Sequence, residues 1–157
     1  KEPLQYVNVR EYAHRTWLAA TDGYRLHAYA VALPVGVYLM VDNKLRQVDS
    51  TFPDWTTAVP KAPTTIAVDE YAIVEPYAAW NFLNGNLVKF DPKRTYKRNE
   101  NYRLSKRYYK DALRFGGEPT FALSETTDKQ PEQHQRKMMI AWPDAFALLM
   151  PALPEWK

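Results

Sequence analysis

Cysteine is absent from the 157-residue chain. That excludes disulfides and thiolate-held metals and suits a reducing, cytoplasmic setting. Long apolar runs are absent too. None approaches the roughly 18 residues needed to span a bilayer, and no signal-peptide pattern opens the chain, so no membrane partner is expected. The chain begins at Lys1 rather than Met, so a leading segment is expected to have been removed or left out. Histidine is scarce and scattered, at His14, His27 and His134. No HExxH, carboxylate-rich cluster, P-loop or GxGxxG cradle accompanies it. Ser, His and Asp occur in no nucleophile-elbow setting, and Thr21-Asp22-Gly23 lacks the DxDGT-type pattern of a phosphatase nucleophile. No cofactor or metal is expected, and the chemistry points to binding rather than catalysis.

What is present is a core. Hydrophobic residues at 46% and charged residues at 25% are ordinary for a folded domain, and the length allows one solid core or two small lobes. The net charge of +3 is too small to announce a nucleic-acid partner, but its distribution is uneven. Between Lys89 and Arg114 ten basic residues stand against three acids, a local +7, while the remainder of the chain is acidic. Taken alone, such a run fits an ordinary solvated face equally well.

The first third reads as strands. PLQYVNVREY, TWLAA and YRLHAYAV, then GVYLMV and KLRQVDS, are Val-, Tyr- and Leu-rich and partly alternating. Asp42-Asn43 marks a tight turn between the last two. A five-stranded antiparallel meander is the simplest expectation. Pro53, Pro60 and Pro63 break the pattern, which makes 52–64 a connector and the region near 60 the best boundary between a half at 1–60 and a half at 61–157. A single compact domain over 1–157 is the alternative. Residues 64–90 read as β-rich with an Asn84-Gly85 turn, and 91–101 as an exposed polar loop. PTFALSE, RKMMIAW and AFALLMPAL supply further apolar, strand-like segments.

One helix is predicted, over Lys106–Phe115, with Ser105 as N-cap and Gly116-Gly117 as its stop. At 100° per residue, Leu104, Tyr108, Ala112 and Phe115 form the apolar side. Arg107, Lys110 and Arg114 form a stripe opposite, with Lys106 at its margin.

Three islands carry a family resemblance. Ala20-Thr21-Asp22-Gly23-Tyr24-Arg25-Leu26 is similar to an ATDGHRL segment, Phe52-Pro53-Asp54-Trp55 with Val59-Pro60 to FPDY…LP, and Leu148-Leu149-Met150-Pro151-Ala152-Leu153 to VVMPMRL. In this order they resemble the bacterial DNA polymerase III beta subunit, the replicative sliding clamp, or a phage relative of it. The chain departs from the pattern: only 31 positions separate Asp22 from Pro53, and Tyr24 stands where His is usual. The resemblance implies an α+β, clamp-like fold of antiparallel sheet with few helices.

It also implies partners. In the clamp family the three islands converge on a pocket for short apolar peptides of polymerases, clamp loaders and repair proteins. Here the turn would contribute Thr21, Gly23, Tyr24 and Leu26; the connector, Pro53 and Ala58; the ending, Leu148, Met150 and Pro151; and Leu4 a further wall. Family helices line a central hole around duplex DNA, which assigns Arg25, Lys106, Arg107, Lys110 and Arg114 to non-specific phosphate contact. Clamp rings contain six domains, so one domain per chain implies six subunits and two imply three. A rival expectation is a non-encircling module of clamp descent that recruits or sequesters replication proteins. An enzyme of nucleic-acid metabolism is a third, and divalent-metal-dependent turnover would mark it.

Overall fold

The computed structural model describes residues 6–68, 77–83, 86–97, 100–129, 131–132 and 135–152. The architecture is antiparallel β-sheet with one short α-helix. The first five strands fall where the apolar alternation places them: β1 Tyr6–Tyr12, β2 Arg15–Thr21, β3 Arg25–Ala30, β4 Gly36–Val41 and β5 Lys44–Val48. They do not form a meander. β4 pairs with β1 instead of β3, giving the order β5-β4-β1-β2-β3. The reason is the 31–35 segment, which crosses the sheet so that Val31 and Leu33 pack against the buried Val9, Leu18 and Tyr38.

Both tight hairpins in this half use left-handed turn residues. Asp42 and Asn43 have φ of 48° and 62°, and Ala13 and His14 have φ of 49° and 63°. Paired positive φ values match the right-handed twist of the strands on either side.

The remaining strands are β6 Thr64–Ile66, β7 Tyr77–Leu83, β8 Asn86–Lys89, β9 Asn101–Ser105, β10 Thr120–Leu123, β11 Met138–Trp142 and β12 Ala145–Leu149. β12 pairs with β3, with Leu148 opposite Leu26, and thereby joins the two ends of the chain into one nine-stranded sheet. Its order is β5-β4-β1-β2-β3-β12-β11-β10-β6. β8-β7-β9 form a second, three-stranded sheet. The Asn84-Gly85 turn expected between β7 and β8 lies outside the described residues.

The helix α1 spans Lys106–Ala112 and continues as a 3-10 turn over Leu113–Phe115. Ser105 caps it by accepting from the Tyr108 amide, and Gly116, at φ 78°, ends it. Its apolar face is rotated from the expected one. Tyr109 and Ala112 are the buried pair, Tyr108 is half-buried and Phe115 is exposed, while Leu104 belongs to β9. The helical period starts only after the Ser105 cap, so Leu104 never takes part in it. Tyr109 and Ala112 pack with Trp80, Tyr102, Leu104, Ile140 and Leu149 into the largest core cluster, between the two sheets.

The opposite sheet face is closed by the connector. Asp54 accepts from the Thr56 amide and starts a 3-10 turn over Trp55–Ala58. That turn drives Trp55 into a cluster with Trp17, Leu26, Phe146 and Leu148. Trp55 Nε1 donates to Asn8 Oδ1 at 3.0 Å, so its one polar group is satisfied at depth. Both cores thus meet at β12 from opposite sides, Ala147 and Leu149 in one and Phe146 and Leu148 in the other.

Candidate functional site

The β2–β3 turn is fixed by its own side chains. Thr21 Oγ1 donates to the Arg25 carbonyl at 2.6 Å and accepts from the Gly23 amide. Asp22 Oδ1 accepts from the amides of Tyr24 and Arg25, and Gly23 takes φ 91°, a conformation that strains any residue with a Cβ. The chain after β12 is then tied to this turn. The Met150 amide donates to the Tyr24 carbonyl at 2.9 Å, and the Ala152 amide to the Arg103 carbonyl of β9 at 2.9 Å.

This tie leaves a cleft of about 80 Å³ lined by Thr21, Gly23, Tyr24, Arg25, Leu26, Ala58, Lys137, Leu148 and Met150. Leu26 and Leu148, cross-strand partners only 4% and 3% exposed, anchor it to the core. Tyr24, 65% exposed, stands at its rim and Met150 is half-buried. Seven of the ten residues assigned from sequence to a pocket therefore meet in one place. Pro53 is exposed ahead of the 3-10 turn and does not line the cleft, because Asp54 turns the chain before Ala58 reaches it. Pro151 follows Met150 without entering the lining, and Leu4 lies outside the described residues.

A wider groove of about 600 Å³ opens beside the cleft, between the β2–β3 end and α1. Ala20, Thr21, Asp22, Arg25 and His27 line one side; Arg107, Tyr108, Asp111 and Arg114 line the other. Thr21 and Arg25 belong to both cavities. Arg107 and Lys110 on α1 and Arg114 on the 3-10 turn that follows are all exposed, with Lys106 half-buried at the start of α1.

Arg114 pairs with Asp111, at 3.7 Å, but Arg25 is the cation held from two sides. Its Nε donates to Asp22 at 3.1 Å, its Nη1 to Asp111 at 2.7 Å, and its guanidinium lies 4.4 Å from the Tyr108 ring centre. Charge pairing outweighs burial and raises its affinity for its proton, while the same contact holds the Asp111 carboxyl below its ordinary range. A guanidinium met by two carboxylates is an internal strut, with little net charge to offer a phosphate. Burial holds His27, on the groove wall, below its ordinary value, with Arg25 adding to the effect.

Two site contacts were not readable in the sequence. Lys137 enters the cleft from the segment before β11, and its ammonium donates to the Ala58 carbonyl. Asp111, the one acid within α1, was legible as an oddity among bases, but its partner 86 positions away was not. Among the described residues no group of three or more His, Cys, Asp or Glu side chains is placed to hold a metal, and none of the helices is long and apolar enough to cross a membrane.

No protein-family model matches the chain, and no curated protein matches it in sequence. Solved structures do match its fold. A DNA polymerase III beta subunit from Thermotoga maritima superposes with a TM-score of 0.54 at 13% identity, covering 96% of this chain and 57% of that one. A sliding clamp (DNA polymerase III subunit beta) from Bartonella birtlesii, bound to griselimycin, gives 0.54 at 16%, covering 95% and 58%. A DNA polymerase sliding clamp from Bacillus subtilis gives 0.54 at 16%, covering 97% and 57%. The fold is clamp-like. The chain spans less than two thirds of each of these sliding clamps, and the likeness is one of fold. Within that clamp-like fold the cleft and the basic helix face lie on either side of Arg25.

Proposed function

We propose that this chain serves DNA replication as a clamp-like, non-enzymatic scaffold. It would contact duplex DNA without sequence preference through α1 and display a cleft for short apolar peptides of a polymerase or clamp loader. The observation that carries this reading is the meeting of three distant segments in one small apolar cleft on a clamp-like fold. Met supports such a role because its unbranched thioether adapts to different side chains. Burial of two or three peptide side chains, at roughly 1.5–3 kcal/mol each before ordering costs, gives binding no tighter than micromolar, which suits partners that exchange.

Arg107, Lys110 and Arg114 support the DNA part. They lie roughly 10 Å apart end to end at 1.5 Å per residue, on a helix whose other face is core. Contact of this kind is weak and salt-sensitive, as a sliding protein needs when topology retains the DNA. Encirclement requires assembly, so the chain is proposed to form a homo-oligomeric ring.

The test is fluorescence polarisation of a labelled peptide with a Leu-rich end, paired with a solution mass. Micromolar binding that weakens about tenfold in Met150→Ala supports the cleft. No binding to the unaltered protein at hundreds of micromolar overturns it. A monomeric mass at all concentrations overturns the ring and leaves a non-encircling recruitment module.

A further inference from the structure

We propose that the cleft selects peptides carrying a carboxylate beside the apolar side chain, and that Lys137 is the residue that meets it. The inference rests on the reading of the cleft as a peptide site and names the class of peptide it takes.

The cleft has two cations in its lining, Arg25 and Lys137. Arg25 is already matched by Asp22 and Asp111. Lys137 is not matched in this way. Its ammonium donates to the Ala58 carbonyl, and no ion pair involves it among the described residues. The carboxylate that acts on it from a distance, Glu125, is instead held by the backbone amides of Lys61 and Ala62 at 3.1 and 3.3 Å. An ammonium has three N–H groups, so one carbonyl leaves donors for a ligand. Burial also holds this ammonium below its ordinary value, the mark of a cation short of solvent and counter-charge. A carboxylate arriving here gains a charge-assisted hydrogen bond, while the Ala58 contact has already fixed the lysine in place.

The carboxylate could come from an Asp or Glu side chain or from the end of a peptide chain. The experiment separates the two. A labelled hexapeptide ending in two leucines is titrated by fluorescence polarisation in three forms: a free C-terminal carboxylate, a C-terminal amide, and the amide with an Asp next to the leucines. The proposal expects at least one acidic form to bind about tenfold tighter than the plain amide. In Lys137→Met, which keeps most of the aliphatic stem, the forms should bind alike, and in Lys137→Arg the preference should return. Which acidic form wins identifies the source. Equal binding of all three forms to the unaltered protein, or a preference that survives Lys137→Met, overturns the role of Lys137 while the cleft stands. Failure of every form to bind removes the peptide site and this inference with it. Should Lys137→Met not fold, Lys137→Gln takes its place, and an acidic preference that survives in it overturns the role of Lys137.

Discussion

The Arg25 guanidinium on β3 donates at 2.7 Å to the Asp111 carboxylate on α1, and so bonds the turn that shapes the cleft to the helix that carries the basic stripe. Their side chains are 20% and 24% exposed, intermediate between a surface pair and a buried one. Asp111→Asn removes the charge and keeps the shape. It should cost about 1–2 kcal/mol, less than a fully buried pair because water still reaches both groups. Arg25→Met should cost a similar amount, and the double variant less than the sum. Urea denaturation of the four proteins checks this, and strictly additive costs would mean the two residues do not act on each other.

A second polar contact sits deeper. Asn8 is buried on β1, donates Nδ2 to the Gly36 carbonyl at 3.0 Å and accepts from Trp55 Nε1 at 3.0 Å. It thereby holds the connector onto the sheet. Asn8→Ala leaves the Trp55 N–H and the Gly36 carbonyl without that partner, at about 1–3 kcal/mol each if water cannot follow. Trp55→Phe in the Asn8→Ala background should recover part of the loss, which thermal unfolding of the single and double variants measures.

Much of this fold is legible in the sequence where one local pattern decides it. The strands β1–β5 follow from alternation, the Asp42-Asn43 turn from its residue types, and the helix start from Ser105. Strand order is not local. The pairing of β4 with β1 depends on Val31 and Leu33 finding the apolar side of Val9 and Leu18, which no window of sequence contains. The gathering of Leu26, Ala58 and Met150 was readable only through the family resemblance, since they lie far apart in the chain. Pro53 and Lys137 show the limit of that route. Motif membership brought Pro53 into the expected lining although the Asp54 cap steers it away, and no motif marked Lys137.

His27 gives the protein a pH-dependent stability. Burial, then Arg25, lowers its proton affinity from an ordinary value of 6.5, against a smaller opposing pull from Asp111 and Asp22. The folded chain therefore holds His27 neutral where the unfolded chain takes up a proton. Stability is fully present above about pH 6.5 and falls as pH drops below it. Asp111, held low by Arg25, adds a second loss only in the carboxylate range below its ordinary 3.8. His27→Phe should flatten the first limb and leave the second. Denaturation midpoints measured between pH 7.5 and 5 decide the matter, since an equal decline in both proteins would remove His27 as the cause.

The basic stripe makes a prediction about salt. Arg107 and Lys110 on α1 and Arg114 on the 3-10 turn after it are exposed, and their neighbours Tyr109 and Ala112 carry the packing, so the three can be changed without touching the core. If each meets one phosphate, the logarithm of the duplex-DNA binding constant should fall with that of salt at a slope of about −3. Arg25 should add little to that slope, because Asp22 and Asp111 already neutralise it. Changing all three stripe residues to Glu should abolish binding and lower the unfolding midpoint only modestly, through the lost support that Arg107 and Arg114 give Asp111, since exposed charges contribute little to stability. Sequence should matter little, because phosphate contacts position a protein without reading bases. Electrophoretic or polarisation titrations over 50–200 mM salt, on two unrelated duplexes, measure all of this. Binding that survives the triple change would move the DNA surface away from α1, to the basic segment around Lys89, Lys93, Arg94 and Lys97, where Arg94 lies over the Tyr96 ring.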